Sequence, residues 1–282
     1  MKEFKFFSLL SLTVVLFAVL SGCQKKERPG LGDYLKDANP PTGPLKFFVS
    51  FNGTSTDSKV GAVDSLQFTK PVSNTMTFTA SGVNGSRAVT GNGSQYISYG
   101  KPNNFANWAE SFTVSFWEKR NGMPVGEAEF PFSLSSSNGH WAGTSLMVLF
   151  DHAGSGATDN LAVVKMVAVD RNVNDTWFEW AGSNKIAGIQ DNNWHHLAFV
   201  YDAATSKCTL YVDGVANSNV PQWGTHGKVM IDYDKVKSFQ IGGRPKEDLG
   251  WGRSWTGSLD QFRMYASALT AAQVQALYTG KM

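Results

Sequence analysis

Cysteine is nearly absent: the 282 residues contain two, Cys23 and Cys208. A disulfide framework is thereby excluded, and the fold must rest on its core. An excess of one charge is also missing. Lys and Arg number 25 against 23 Asp and Glu, a formal charge of +2, with no basic block and no acidic tail. Nucleic acid is therefore not an expected partner, since bulk electrostatic attraction needs a basic face. No apolar run reaches the roughly 20 residues that span a bilayer core. Histidine occurs five times, and the zinc, phosphate-loop and nucleophile-elbow motifs that would mark common active sites do not occur.

What is present begins at the N-terminus. Lys2 and Lys5 precede the apolar run "FFSLLSLTVVLFAVL", Phe6 to Leu20, which ends in "LSGC" at Cys23. A charged start, a short apolar stretch and small residues at the cut describe a secretory signal over residues 1–22. "LSGC" also resembles the bacterial lipobox, which implies that the Cys23 thiol carries lipid and that the mature protein starts there. The expected location is the cell envelope, through a lipid anchor in the membrane, with the outer membrane as the leading choice. Removing Lys2, Lys5 and Glu3 leaves 23 basic against 22 acidic residues, a formal charge of +1. Residues 23–44 are polar, carry Pro29, Pro40, Pro41 and Pro44, and have no hydrophobic period. Such a segment reads as a tether between lipid and domain.

From Leu45 to Met282 the pattern is short alternating or apolar runs broken by Gly, Asn, Asp and Ser, such as "LKFFVSF", "SFTVSFWEKR", "TSLMVLF" and "WHHLAFVYD". They are rich in Val, Phe, Tyr, Trp and Thr, which predicts an all-β sandwich or barrel. Asp213-Gly214 predicts a tight hairpin, because both turn positions need positive φ. One helix is expected, at the end. "ALTAAQVQALYTG" offers Thr270 as N-cap with Gln273 three residues on, and Leu269 and Val274 to staple it. Cys208 lies in "SKCTLYVDG" on one strand face with Leu210 and Val212, as a small buried apolar side chain.

Four stretches resemble, in order, segments of the laminin-G-like jelly-roll domains of the concanavalin A-like superfamily. They are "FVSFNGTSTDSKVG", "SFTVSFWEK", "NNWHHLAFVYDAATSKCTLYVDGV" and "GSLDQFRMYASALTAAQVQALY". The resemblance implies two antiparallel sheets packed face to face, a jelly-roll sandwich over 45–282 with a short C-terminal helix. It also implies a binding role toward glycan or glycoprotein, with a protein–protein or adhesion role as the alternative. The superfamily includes glycosidases as well. Relatives often hold a structural Ca²⁺, and by that resemblance Asp57 and Asp260 are the positions that would ligate it. The sequence leaves the oligomeric state open.

His195 and His196 are adjacent in "NNWHHLAFVYD". On a strand they face opposite ways and cannot grip one metal. Trp194, His196, Ala198 and Val200 should share one face, and His195, Leu197, Phe199 and Tyr201 the other. Glu127 and Glu129 are spaced i, i+2, but the Glu-x-Asp-x-x-Glu strand of retaining glycosidases is not matched, so no catalytic acid pair is assigned. The nine tryptophans are many. Trp141, Trp177, Trp180, Trp223, Trp251 and Trp255 sit in turn-rich stretches, where indole faces could stack on sugar rings. "GWGRSWTG" makes Trp251, Arg253 and Trp255 the leading ligand-binding set, with Trp177 and Trp180 beside them.

Overall fold

The computed structural model describes residues 43–53, 56 and 71–282. The signal sequence, Cys23, most of the tether and Asp57 lie outside these residues. Among the described residues, two eight-stranded sheets and one two-stranded pair, Leu161–Ala162 with Ile186–Ala187, make the domain. In the first sheet, neighbouring strands run in the order Val215–Ala216, Lys207–Val212, His195–Asp202, Phe112–Lys119, Thr256–Tyr265, Ala88–Asn92 and Thr77–Thr79. Leu45–Val49 also pairs with Thr256–Tyr265, so the first strand lies on the last. In the second sheet the order is Asp175–Trp180, Val164–Val169, Thr144–Phe150, Ala128–Ser136, Val236–Ile241, Ile97–Tyr99 and Pro71–Asn74. The pairings are antiparallel except one: Gly252–Ser254 runs parallel to Ala128–Ser136.

Period-2 alternation explains why these sheets face each other. Phe112, Val114 and Phe116 of one central strand, and Leu197, Phe199 and Tyr201 of its neighbour, point inward. They meet Leu146, Val148, Met166 and Ala168 of the second sheet in one continuous apolar core. Each fully buried Phe, Leu or Val contributes roughly 1.5–3 kcal/mol relative to exposure. The intervening positions face outward, and both outer faces carry their own apolar patch. Ala198, Val200, Tyr211 and Leu269 enclose Val274 of the C-terminal helix. Ala128, Phe130, Met147, Leu149, Val167, Val169 and Leu249 form the other patch, on the outside of the second sheet.

The turn and cap expectations hold in detail. Asp213 and Gly214 adopt φ of 51° and 81° between Lys207–Val212 and Val215–Ala216. The helix Ala271–Thr279 starts at a complete capping box: Thr270 Oγ1 accepts from Gln273 N–H, and the Gln273 side chain accepts from Thr270 N–H. Several elements escaped the pattern, among them Pro71–Asn74, Ala88–Asn92 and Gly252–Ser254, and two are instructive. Asn103–Trp108 is a six-residue helix, too short to show a period. Ala128–Ser136 is a fully buried strand although it contains Pro131. A proline cannot donate to a ladder, and the pairing with Thr144–Phe150 shifts register between Glu129 and Phe132, where Pro131 sits.

Candidate functional site

The leading tryptophan set divides. Trp180 and Trp255 are wholly buried and belong to the core rather than to a surface loop. Trp180 packs edge-on against Phe199, and its Nε1–H donates to the Asn219 carbonyl at 3.0 Å. Trp255 packs edge-on against Phe150 at 4.9 Å. A ring with no exposed face cannot stack on a ligand, so the assignment of these two as binding residues is corrected. Trp255 follows the short strand Gly252–Ser254 and turns onto the core side, where it packs against Phe150.

Arg253 is also committed. Its Nε donates to Glu129 Oε1 at 3.0 Å, and its Nη2 reaches the same oxygen. Thr256 Oγ1 donates there too, at 3.0 Å. Glu129 Oε2 accepts from Arg120 Nη1 at 2.7 Å and from Thr256 N–H at 2.9 Å. The carboxylate is fully buried. Five donors therefore close on it, and it ties three segments together instead of facing a sugar. A nucleophile or general acid needs a carboxyl oxygen open to substrate.

Trp177 and Trp251 do come together, and Trp141 joins them. Trp251 and Trp177 pack on the outer apolar patch of the second sheet. Their ring centroids are 6.4 Å apart. Trp141 lies 6.2 Å from Trp177, nearly parallel at 6°, and 5.9 Å from Trp251. Three indoles thus form one triangular cluster, and Trp141, 56% exposed, stands at its surface. The scaffold is local and specific. Trp177 projects from the edge strand Asp175–Trp180 on the same face as Asp175 and Glu179. Trp141 follows His140 in the turn after Ala128–Ser136, and Trp251 ends the loop that crosses the sheet from Gly243. That loop is pinned by Ser133 and Ser135, whose hydroxyls donate to the Gly243 and Pro245 carbonyls.

One carboxylate locks two of the rings. Asp175 Oδ2 accepts from Trp177 Nε1–H at 3.0 Å and pairs with His140 Nε2 at 3.2 Å. His140 Nδ1 accepts from Ala142 N–H, which leaves Nε2–H to donate to Asp175. The turn carrying Trp141 is thereby fastened to the strand carrying Trp177. Beside them Lys165 is held by Asp151 at 3.0 Å and Glu179 at 3.3 Å, with its ammonium 5.6 Å from the Trp177 ring. Trp223, the remaining loop tryptophan, is stacked on His226 at 3.5 Å instead.

The histidine pair splits across the sheet as strand geometry requires. His196 faces outward between Trp117 and Tyr278, with Nε2 2.8 Å from Ser115 Oγ. Burial pushes its pKa down to about 3 and keeps it neutral. His195 faces the core side. Its Nδ1 lies 2.8 Å from Asp213 and its Nε2 3.0 Å from Asp191, and the Asp213 hydrogen bond leads in raising its pKa to about 9. Cross-strand from it, Glu118 is buried, and desolvation raises its carboxyl well above the usual range. Cys208 is a buried thiol in the core, and burial raises its pKa too.

Asp260 does not fit the calcium role that resemblance implies. It is fully buried, and its oxygens accept from Val83 N–H at 3.0 Å, Ser86 Oγ at 3.3 Å and Gln261 N–H at 2.8 Å. Burial lifts it to about 7 against the pull of those donors. A hard cation needs six to eight free oxygens, not oxygens facing N–H groups. Among the described residues no group of three or more His, Cys, Asp or Glu is arranged to hold a metal ion.

The packed sheets and the strand order define a jelly-roll sandwich domain. A laminin-G family model, described as the concanavalin A-like lectin/glucanases superfamily, matches residues 90–275. The chain belongs to that superfamily. No curated relative matches the sequence at a significant level. Among solved structures, the binding domain of Paraclostridial Mosquitocidal Protein 1 is similar, with TM-score 0.58 and 16% identity over 84% of this chain and 52% of that one. The Botulinum Neurotoxin Type G receptor binding domain gives TM-score 0.55 and 12% identity over 84% and 51%. The chain spans about half the length of these domains, and at such identities the likeness is one of fold.

Proposed function

We propose that the domain is a non-catalytic binding module for carbohydrate, free or on glycoprotein, and that the Trp141–Trp177–Trp251 cluster is its contact surface. The observation that carries this reading is the triangle of indoles with centroids 5.9–6.4 Å apart, seated on an apolar patch and fastened by Asp175. Aromatic faces are large, stiff contact surfaces that lose little entropy on binding. Glu129, the better placed of the two candidate acids, is enclosed by donors, which supports binding over hydrolysis. Family membership and the binding-domain titles of the similar structures support the same class. A glycan array tests it: the wild-type chain should bind, and Trp141→Ala and Trp177→Ala should each weaken binding about tenfold or more. Binding untouched by both changes refutes the site.

An indole cluster with one ring exposed also suits a protein partner, since Trp is enriched at interface hot spots. Enrichment of one envelope protein, lost in Trp141→Ala while arrays stay silent, selects that reading. We further propose that the domain is held to the cell envelope by lipid on Cys23. Metabolic labelling with a palmitate analogue should mark the wild-type chain and not Cys23→Ala; persistent label refutes the anchor.

A further inference from the structure

The aromatic cluster exposes the Trp141 ring, with Trp177 and Trp251 half-buried beside it, and it offers few donors. Trp177 Nε1–H is already given to Asp175. Trp251 Nε1 is buried, with no protein acceptor among the described residues. Two of the three indoles therefore have no N–H to offer a ligand. The charges around the rings carry a negative excess. Asp175 is bonded to Trp177 and 34% exposed at its side chain, and Asp151 and Glu179 hold Lys165 against the same ring. Lys246 lies against Gly143 in the turn that carries Trp141, and it pairs with Asp248, which is 82% exposed. Arg244, whose guanidinium donates to the Gly252 carbonyl beside Trp251, pairs with Glu247. Five carboxylates thus flank the rings against two ammonium groups and one guanidinium, and all three cations are already paired.

From this geometry we infer that the cluster binds uncharged sugar rings through their C–H faces and excludes anionic glycans. The inference rests on the carbohydrate-binding reading above and names the ligand class. An anionic sugar meets a net negative rim and, among the described residues around the rings, only cations that are already paired. Moving it onto the rings would cost desolvation of its charge with no partner to offset it. A neutral pyranose or furanose gains stacking and apolar burial and needs no counter-charge. The binding should also depend little on salt, because no ion pair forms with the ligand.

The test is affinity electrophoresis and calorimetry of the full chain on two soluble sets: linear β-glucan, xylan, mannan and arabinan, and polygalacturonate, alginate and heparin. Binding to at least one neutral polymer is expected, with every anionic polymer about tenfold weaker or more. Trp177→Ala should abolish the neutral binding, and 0.5 M salt should leave it unchanged. Asp248→Lys, which reverses one charge of the rim, should raise the affinity for anionic polymers; an unchanged anionic affinity would overturn the charge argument. Anionic polymers bound as tightly as neutral ones, with both lost in Trp177→Ala, would overturn the ligand class and leave the binding site standing. Silence on both sets, or binding indifferent to Trp177→Ala, overturns the binding reading itself, and this inference with it.

Discussion

Glu129 is where a single change should cost most. Its carboxylate is fully buried and accepts five hydrogen bonds, from Arg120, Arg253 and Thr256. Glu129→Gln keeps the shape but turns one oxygen into an N–H₂ group aimed at donors, and it removes the negative charge. Arg120 is 4% exposed and is left without its counter-charge. Breaking a buried pair by removing one partner costs about 3–5 kcal/mol. For a domain of this size each kcal/mol is worth roughly 2–4 °C, so melting should fall by roughly 6–20 °C. Arg253→Ala should cost less, about 1–2 kcal/mol, because that side chain is 33% exposed and water takes up part of its work. Urea and thermal unfolding followed by circular dichroism measure both. If Glu129→Gln unfolds within about 1 kcal/mol of wild type, the carboxylate is not enclosed as described, and its exclusion from catalysis loses its basis.

Three further outcomes follow from the same structure. His195 has a folded pKa of about 9, above the usual value near 6.5, so its stabilisation is complete below pH 6.5 and is lost as pH rises through 9. The urea midpoint should fall over that window, and less steeply in His195→Asn; equal slopes would contradict the double aspartate clamp. Asp175→Ala should release both His140 and Trp177, weakening neutral-glycan binding about fivefold, and should cost about 1–3 kcal/mol of stability, because the His140 side chain is 2% exposed and its N–H loses its acceptor; unchanged affinity would show that the rings need no fastening. Cys208, buried and with its thiol pKa raised, should resist iodoacetamide in a folded Cys23→Ala chain and react on unfolding. Rapid labelling of the folded chain would contradict its placement in the core.

Much of the fold was legible because period-2 alternation is a local signal. The faces assigned to His195 and His196, the Asp213-Gly214 hairpin and the Thr270–Gln273 capping box depend only on neighbours in sequence, and each is found in place. Ala128–Ser136 was harder, since Pro131 argues against a central strand and only the register shift makes room for it. The tryptophan site was legible in part. A turn-rich context shows that a ring is near a loop, but not which way it points. Trp255 and Trp251 are four residues apart and end on opposite sides of the second sheet. Trp141 joins Trp177 and Trp251 through contacts spanning up to 110 residues of chain, beyond the reach of any local pattern. Arg253 looked like a ligand contact because its partner, Glu129, is 124 residues away.

The most direct measurement is a crystal structure of the domain with the tightest-binding neutral oligosaccharide. A sugar ring is expected within about 4 Å of the faces of Trp141, Trp177 or Trp251, on the outside of the second sheet. A sugar bound instead beside Asp260, or on the outer face of the first sheet near the C-terminal helix, would contradict it.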